Sequence, residues 1–577
     1  MRIHHCLPLP LFLGLVLTAS LQPASVAVAA EPLSFDVVIY GGTCGGVTAA
    51  VEVASQGRTV VLIEPGRHLG GLTSGGLGAT DIGSKPDSIG GMSREFYKRM
   101  KRHYADAAKW KYQKPEDYVS HKYDPNADVM WHFEPHVAEK LFNEMATEAG
   151  VVVVYSERLD LKSGVRRTGS HIDAIVMESG REFRGKIFID ATYEGDLMAK
   201  GGVAYHVGRE GNSVYGETIN GVQKLRLPYN GHAFARPVDP YVVPGDPKSG
   251  LIFGIQQEPN QPEGSGDKLV QAYNFRICMT EVPENRVPFV KPEGYDPAHY
   301  ELMLRYLQTE GTDKLFPDNP LPREIEHPGL GYRPYIVIMP NLKTDMNSKG
   351  AVSSDFIGGN YEYPEANHET RDRIVADHRR YHQGMMWFLA NDPRVPEKYR
   401  RPLQTWGLAK DEFLDNDYWP HQLYVREARR MIGEYVVTEL DCSGTRRVED
   451  SVGLGSYGMD SHGCQRYVDE HGWVRNEGTL GGKVPQPYPI SYRALTPKRA
   501  ECNNLLVPVC CSASHPAYGS IRMEPTFMIL GQSAGAAAVL AIQNGVGVQD
   551  VDYAKLRQRL LACGQQLEWT ARSAGKK

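Results

Sequence analysis

Three short segments set the pattern of the chain after residue 30. Phe35–Tyr40 (FDVVIY) is a β-rich apolar run, Val47–Ala54 carries small residues with helical character, and Thr59–Glu64 (TVVLIE) is a second continuous apolar run. Runs of this length bounded by glycine and polar positions predict buried strands, and the order strand, helix, strand predicts a βαβ unit of a doubly wound sheet. Pro135–Ala149 has the pattern of an amphipathic helix and leads into a strand at Val151–Tyr155. Ile172–Ser179 and Glu182–Ile189, split by Gly180-Arg181, predict a hairpin that ends at Asp190-Ala191-Thr192.

From about Gly201 to Gly482 the regularity fades. Pro237–Gly250 and Pro259–Gly266 are rich in Pro and Gly, aromatics are frequent, and clear helices are few, among them Glu365–Ala390 and Val425–Leu440. Strand-like Leu505–Val509 and a helix at Thr526–Asn544 then resume the first texture. The fold class expected is α/β: a discontinuous Rossmann-like lobe from 31–201 and 482–577, with an α+β substrate lobe, 202–481, inserted into it.

Before residue 31, Arg2, His4 and His5 precede the apolar run Leu7–Leu21, and Ala27-Val28-Ala29-Ala30 offers small residues for cleavage. This predicts a secretory signal and an exported, periplasmic or extracellular protein. No later stretch is continuously apolar for the roughly 20 residues of a membrane span. The 577 residues carry 64 basic and 69 acidic side chains, a net charge of −5, which argues against nucleic acid or an anionic membrane as partner. The cysteines lack paired CxxC spacing, and no metal site is expected. Adjacent Cys510 and Cys511 are not expected to form a strained disulfide.

The chemistry starts at Gly41-Gly42-Thr43-Cys44-Gly45-Gly46, directly after the first strand. Gly41 makes the tight turn, Gly46 lets helix and strand pack, and the helix N-terminus offers N–H groups to a pyrophosphate. Thr43 replaces the usual second glycine, and its hydroxyl can donate to phosphate. Cys44 lies in this turn and is read as packing. Glu64, at the end of the second strand, is placed to accept hydrogen bonds from a ribose. Gly70-Gly71-Leu72-Thr73-Ser74-Gly75-Gly76 adds a backbone-rich loop, with Gly71 and Thr73 as contacts, that suits the ring of an extended flavin and favours FAD over a nicotinamide.

VVIYGGTCGGVTAA, FEPHVAEKLF, FIDATYEGDL, LYVREARRMIGEY, SYGMDSHGCQRYVD, PYPISYR and LLVPVCCSASHPAYGSIRMEPTFMILGQSAG together resemble the bacterial FAD-dependent oxidoreductases of the two-dinucleotide-binding-domain type. Some members carry the label xanthan lyase, which the flavin motifs do not support. The resemblance implies FAD as cofactor, Asp190 to Asp196 as a second cofactor segment near the adenosine half, and the Ser512–Arg522 turn, with Gly519, Ser520 and Arg522, beside the isoalloxazine.

Oxidation of an alcohol or amine carbon needs a base for the heteroatom proton. His515 is the first candidate, with flavin orientation or turn capping as the alternative role. His462 is the second, with Asp460 in the same polar cluster. Tyr518 and Tyr492 can donate protons, and Arg522 and Arg493 can hold a carboxylate or stabilise reduced flavin. Arg426, Arg429 and Arg430 on the helix expected at Val425–Tyr435 read as solvated or ion-paired, and Asn341–Asn347 reads as a surface loop. The function expected is hydride transfer between a small polar substrate, carbohydrate-derived or similar, and flavin N5, with oxygen or another electron acceptor. A polysaccharide lyase and a non-catalytic FAD-fold binding protein are the alternatives.

Overall fold

The computed structural model describes residues 32–120, 122–225, 232–234, 236–256, 261–309, 336–348 and 350–570. The expected signal, Met1–Ala30, lies outside them. The chain opens with β1 (Leu33–Tyr40), α1 (Cys44–Ser55) and β2 (Val60–Glu64), followed by α2 (Gly91–Tyr104) and α3 (Pro135–Glu148). Then come β3 (Val152–Tyr155), β4 (Val165–Thr168), β5 (His171–Val176) and β6 (Glu182–Asp190).

Val37–Tyr40 and Val60–Ile63 are buried throughout, which explains their continuous apolar runs, since a parallel sheet is covered on both faces. The strands form one sheet in the order β3-β2-β1-β6-β5-β4, and Leu505–Leu506 pairs with β6. The β3, β2, β1, β6 and Leu505–Leu506 pairings are parallel, and β4 and β5 form the antiparallel hairpin edge. The sheet therefore takes strands from both ends of the chain.

Helix Glu524–Asn544 lies along α1 at a distance only glycine permits. A Cβ on Gly531 would stand 2.0 Å from the Gly45 carbonyl oxygen, and one on Gly535 2.6 Å from that of Ala49. The Thr48 hydroxyl donates to the Met528 carbonyl at 2.9 Å across the same contact. Among the described residues this is the one helix long and apolar enough to cross a membrane, and it is buried inside the protein.

The middle of the chain builds a five-stranded sheet in the order Ile336–Met339, Lys343–Met346, Ile277–Thr280, Gly407–Ala409 and Arg286–Pro288. The long helix His368–Asn391 belongs to the same part of the chain.

Two expectations fail here. The segment from Val425 is not a helix: it runs extended, with a strand at Arg429–Met431, and only Glu439–Cys442 is helical. Arg426, Arg429 and Arg430 are buried, each paired with a carboxylate from elsewhere: Asp355, Asp196 and Glu210. Asn341–Asn347 is not a surface loop either, because Lys343–Met346 is a buried strand. Lys343 Nζ stands 2.8 Å from Glu134, 2.8 Å from Asp411 and 2.6 Å from Glu412. Charged residues enter a core when opposite charges from other elements meet them, and local patterning does not contain that information. Cys44, Cys278, Cys442, Cys464, Cys502, Cys510, Cys511 and Cys563 are all free.

Candidate active site

The β1–α1 turn leaves no room for a side chain at Gly41 or Gly46. Gly41 has φ 107°, and a Cβ there would lie 2.7 Å from the Ala191 carbonyl carbon. A Cβ on Gly46 would be 1.9 Å from the Gly41 oxygen. Thr43 caps α1: its hydroxyl accepts from Gly46 N–H at 3.2 Å and donates to the Ala191 oxygen at 2.7 Å. The hydroxyl proton expected for a phosphate is thus already engaged. The first intrahelical bond comes from Val47 N–H to Thr43, so Cys44 and Gly45 N–H have no carbonyl partner within α1.

Glu64 closes the other side of the turn. Its carboxylate accepts from Gly42 N–H at 2.7 Å and Gly66 N–H at 2.6 Å. Burial nevertheless pushes its pKa up to about 7. Beside it opens a cleft of about 510 Å³ lined by Gly66, Arg67, His68, Ser156 and Arg158, among others.

Gly71, with φ 56°, is crowded by the Tyr193 hydroxyl, 2.4 Å from a would-be Cβ. That hydroxyl accepts from Leu72 N–H at 2.9 Å and donates to Glu524 at 2.9 Å, while Thr73 donates to the same carboxylate at 2.6 Å. Glu524 therefore ties the second glycine loop to the segment after β6 and to the helix along α1. Asp190 accepts from Thr192 and from Met198 N–H, and burial raises it to about 6. Asp196 is engaged by Arg371 at 2.5 Å and Arg429 at 2.7 Å, so it is not assigned to the cofactor.

The turn before the last long helix carries His515 at the start of the short helix His515–Ile521, capped by Ser514. His515 is fully buried; its Nδ1 lies 2.8 Å from Glu427, and Nε2 has no partner among the described residues. Burial opposes ionisation of Glu427, yet His515 and Arg430 hold its pKa down at about 2. Tyr518 is buried and donates to the Val509 carbonyl at 3.1 Å. A Cβ on Gly519 would meet the Asp460 backbone at 2.5 Å. Ser520 donates to the Tyr457 carbonyl at 2.6 Å and accepts from Tyr488 at 2.9 Å. Tyr492 donates to the Val548 carbonyl, and Arg493 pairs with Asp450.

His462 is the candidate base with an exposed edge, its side chain 10% accessible against 0% for His515. Its Nδ1 is 2.7 Å from Asp355, and Nε2 lies 3.6 Å from Asp460. Asp355 is in turn 3.0 Å from Arg426, and burial notwithstanding, Arg426 and His462 hold it far below the usual carboxylate range. Arg522 reaches Asp460 at 3.0 Å and the Tyr424 hydroxyl at 2.6 Å. His232 meets the His462 ring edge-on, and burial lowers its pKa to about 4. Gln271 links His462 to the carboxylate that holds His515, accepting from His462 N–H and donating to Glu427.

Sequence reasoning missed Asp355, which sits in none of the family motifs, and Tyr424, Glu427 and Glu524, which lie inside the motifs LYVREARRMIGEY and SIRMEPTF but were given no role. One signal was available: in Tyr273-Asn274-Phe275-Arg276-Ile277, polar residues alternate with large apolar ones, the period of a strand with a polar face.

The turn, the carboxylate at the end of β2 and the cleft beside it fit an extended dinucleotide: Cys44 and Gly45 N–H at the helix start have no carbonyl partner within α1, and an added Cβ at Gly41, Gly42 or Gly46 would strike the neighbouring atoms that give the turn its shape. A curated relative, β-cyclopiazonate dehydrogenase of Aspergillus oryzae, is 42% identical over 60 residues, 10% of this chain and 13% of that protein. L-amino acid deaminase from Proteus vulgaris is 16% identical over 31% of this chain and 53% of its own, with a TM-score of 0.23. L-proline dehydrogenase from P. horikoshii is 20% identical over 31% of this chain and 59% of its own, with a TM-score of 0.22. The chain thus spans a small part of the curated relative and little more than half of these structures, too little to carry an argument about activity. The model of the family described as FAD dependent oxidoreductase, in contrast, matches residues 36–560. The chain belongs to that family, an oxidoreductase with FAD as its cofactor.

Proposed function

We propose that the protein oxidises a small polar substrate with a hydroxyl or amine on the reacting carbon, and that His462 removes the heteroatom proton. The observation that carries this reading is the Asp355–His462 pair, 2.7 Å apart, with the imidazole retaining slight access beside Asp460, which Arg522 joins to Tyr424. Asp355 fixes the ring by accepting from Nδ1, leaving Nε2 to accept a proton. His515, sealed against Glu427, holds the helix His515–Ile521 in place.

Bound FAD supplies a two-electron acceptor for the hydrogen leaving the substrate carbon. The turn of Gly41, Gly42, Thr43 and Gly46 leaves the Cys44 and Gly45 N–H groups at the start of α1 without a carbonyl partner in the helix, and these would hold the pyrophosphate. Glu64 would take the ribose, and the loop containing Gly71 and Thr73 would lie against the ring. Gly519, Ser520 and Arg522 fix the segment beside His462. Electrons leave to oxygen or another acceptor. The N-terminal 30 residues support export, and a carbohydrate-derived substrate suits that location. A lyase needs no electron acceptor, and a non-catalytic protein needs no poised base; neither is favoured.

The test is anaerobic addition of sugars, uronic acids, hydroxy acids and amines to the FAD-loaded protein while its visible spectrum is followed. Bleaching by one class supports the reading and names the substrate type. A spectrum unchanged by every compound counts against it.

A further inference from the structure

Arg276 is a buried arginine with one edge of its guanidinium in use and the other unmatched. It precedes the strand Ile277–Thr280 at the centre of the five-stranded sheet, is 2% exposed, and its backbone oxygen would lie 2.2 Å from a Cβ on Gly76 of the second glycine loop. Nε donates to Asp345 Oδ1 at 2.8 Å and Nη2 to Oδ2 at 2.5 Å. This is a two-point pair along one edge of the guanidinium. Nη1 is buried and has no partner among the described residues.

A guanidinium carries five N–H groups in a fixed fork. With the Nε/Nη2 side on Asp345, the free hydrogens of Nη1 and the second hydrogen of Nη2 form a second fork with the spacing of a carboxylate. A buried charged donor left unmatched is costly, and a ligand carboxylate would match it.

Asp345 also accepts from Gly78 N–H at 3.1 Å and Ala79 N–H at 3.0 Å, so its oxygens have other donors and leave Nη1 unmatched. Asp81 and Lys122 interact with Arg276 more distantly and offset each other; Asp81 bonds the Tyr457 hydroxyl at 3.3 Å, and Lys122 donates to the Thr80 carbonyl at 2.9 Å. Tyr424 is the third neighbour, and it accepts from Arg522, which leads through Asp460 to His462. Asn274 pairs with Tyr424 across an isolated bridge and also bonds Arg426 at 2.8 Å, so the strand that carries Arg276 borders the same polar cluster.

We propose that the substrate carries a carboxylate and that Arg276 receives it on the Nη1/Nη2 edge, across Tyr424 from His462. This rests on the reading of the His462 cluster as the place of substrate oxidation. It narrows the substrate to acids with a hydroxyl or amine on an oxidisable carbon, such as hydroxy, amino or uronic acids.

The experiment titrates FAD-loaded protein with matched probes, glycolate against glycolamide, lactate against lactamide and glucuronate against glucuronamide, and reads saturable perturbation of the flavin spectrum. At least one acid is expected to bind and its amide to bind about 100-fold more weakly or not at all. Arg276→Gln is expected to lose the acid response by the same factor, with FAD affinity within about threefold of wild type, and Arg276→Lys to restore part of it. Equal binding of acid and amide, an intact acid response in Arg276→Gln, or no response to any acid would overturn the proposal. So would loss of FAD by Arg276→Gln, since the edge would then belong to the cofactor. His462→Asn separates the two readings: it is expected to keep acid affinity within about twofold while bleaching stops. Continued bleaching would remove His462 as base and leave the Arg276 assignment standing.

Discussion

FAD affinity should depend on pH through Glu64, and the size of the effect follows from its surroundings. Burial raises the carboxyl to about 7, despite hydrogen bonds from Gly42 and Gly66 N–H. Ribose hydroxyls donating to the carboxylate favour its ionised form, so FAD binds the deprotonated protein. Below the pKa of the free protein the proton must leave first, and the dissociation constant then rises as 1 + 10^(pKa − pH). With a value near 7 the factor is about 11 at pH 6 and about 1.1 at pH 8, so affinity should fall about tenfold across that interval. Quenching of flavin fluorescence on titration into apoprotein measures it directly. Glu64→Gln should bind FAD more weakly at pH 8 and lose the pH dependence. A variant that keeps the tenfold change would show that another group titrates and would refute the role given to Glu64. The same residue has the opposite effect on the apoprotein: its raised value lowers stability as pH rises from the unfolded value of 4.5 to about 7, because the folded state holds a proton that the unfolded chain releases.

Further expectations test other parts of the account. Gly46→Ala places a Cβ 1.9 Å from the Gly41 oxygen, so the turn must shift and the purified protein should show a reduced flavin-to-protein ratio. Asp196→Asn leaves buried Arg371 and Arg429 without their shared carboxylate and should cost about 3–5 kcal/mol in denaturant unfolding of the holoprotein. Glu427→Gln should leave the pH profile of substrate oxidation in place, as expected if His515 only positions its helix; a displaced profile would return His515 to the role of base. Alkylation of denatured, unreduced protein should label all eight cysteines after residue 30, Cys510 and Cys511 included; a disulfide in the peptide map would contradict this.

The first half of the fold was legible because its signals are local. β1, α1 and β2 are written as two apolar runs around a glycine turn, and Glu64 follows from the position of the second strand's end. The His462 cluster was half legible: Asp460 and His462 are two residues apart, whereas Asp355 and Arg522 come from distant segments. Val425–Leu440 misled because its arginines have high helix propensity and their buried carboxylate partners come from distant segments. Lys343 and Asp345 misled for the same reason, since alternating charges on a short segment read as solvent-exposed until Glu134, Glu412 and Arg276 are brought against them. His515 shows the limit of motif placement: the motif located the turn, but the burial of the imidazole against Glu427 is not written in it.

The most direct test of the central claim is a stopped-flow measurement of the reductive half-reaction. FAD-loaded wild type and His462→Asn are mixed anaerobically with the compound that bleaches the flavin. The account predicts a saturable bleaching rate in wild type that falls by about 10²–10⁴ in His462→Asn, as expected for loss of a proton acceptor, with FAD still bound. An unchanged rate in the variant would contradict it.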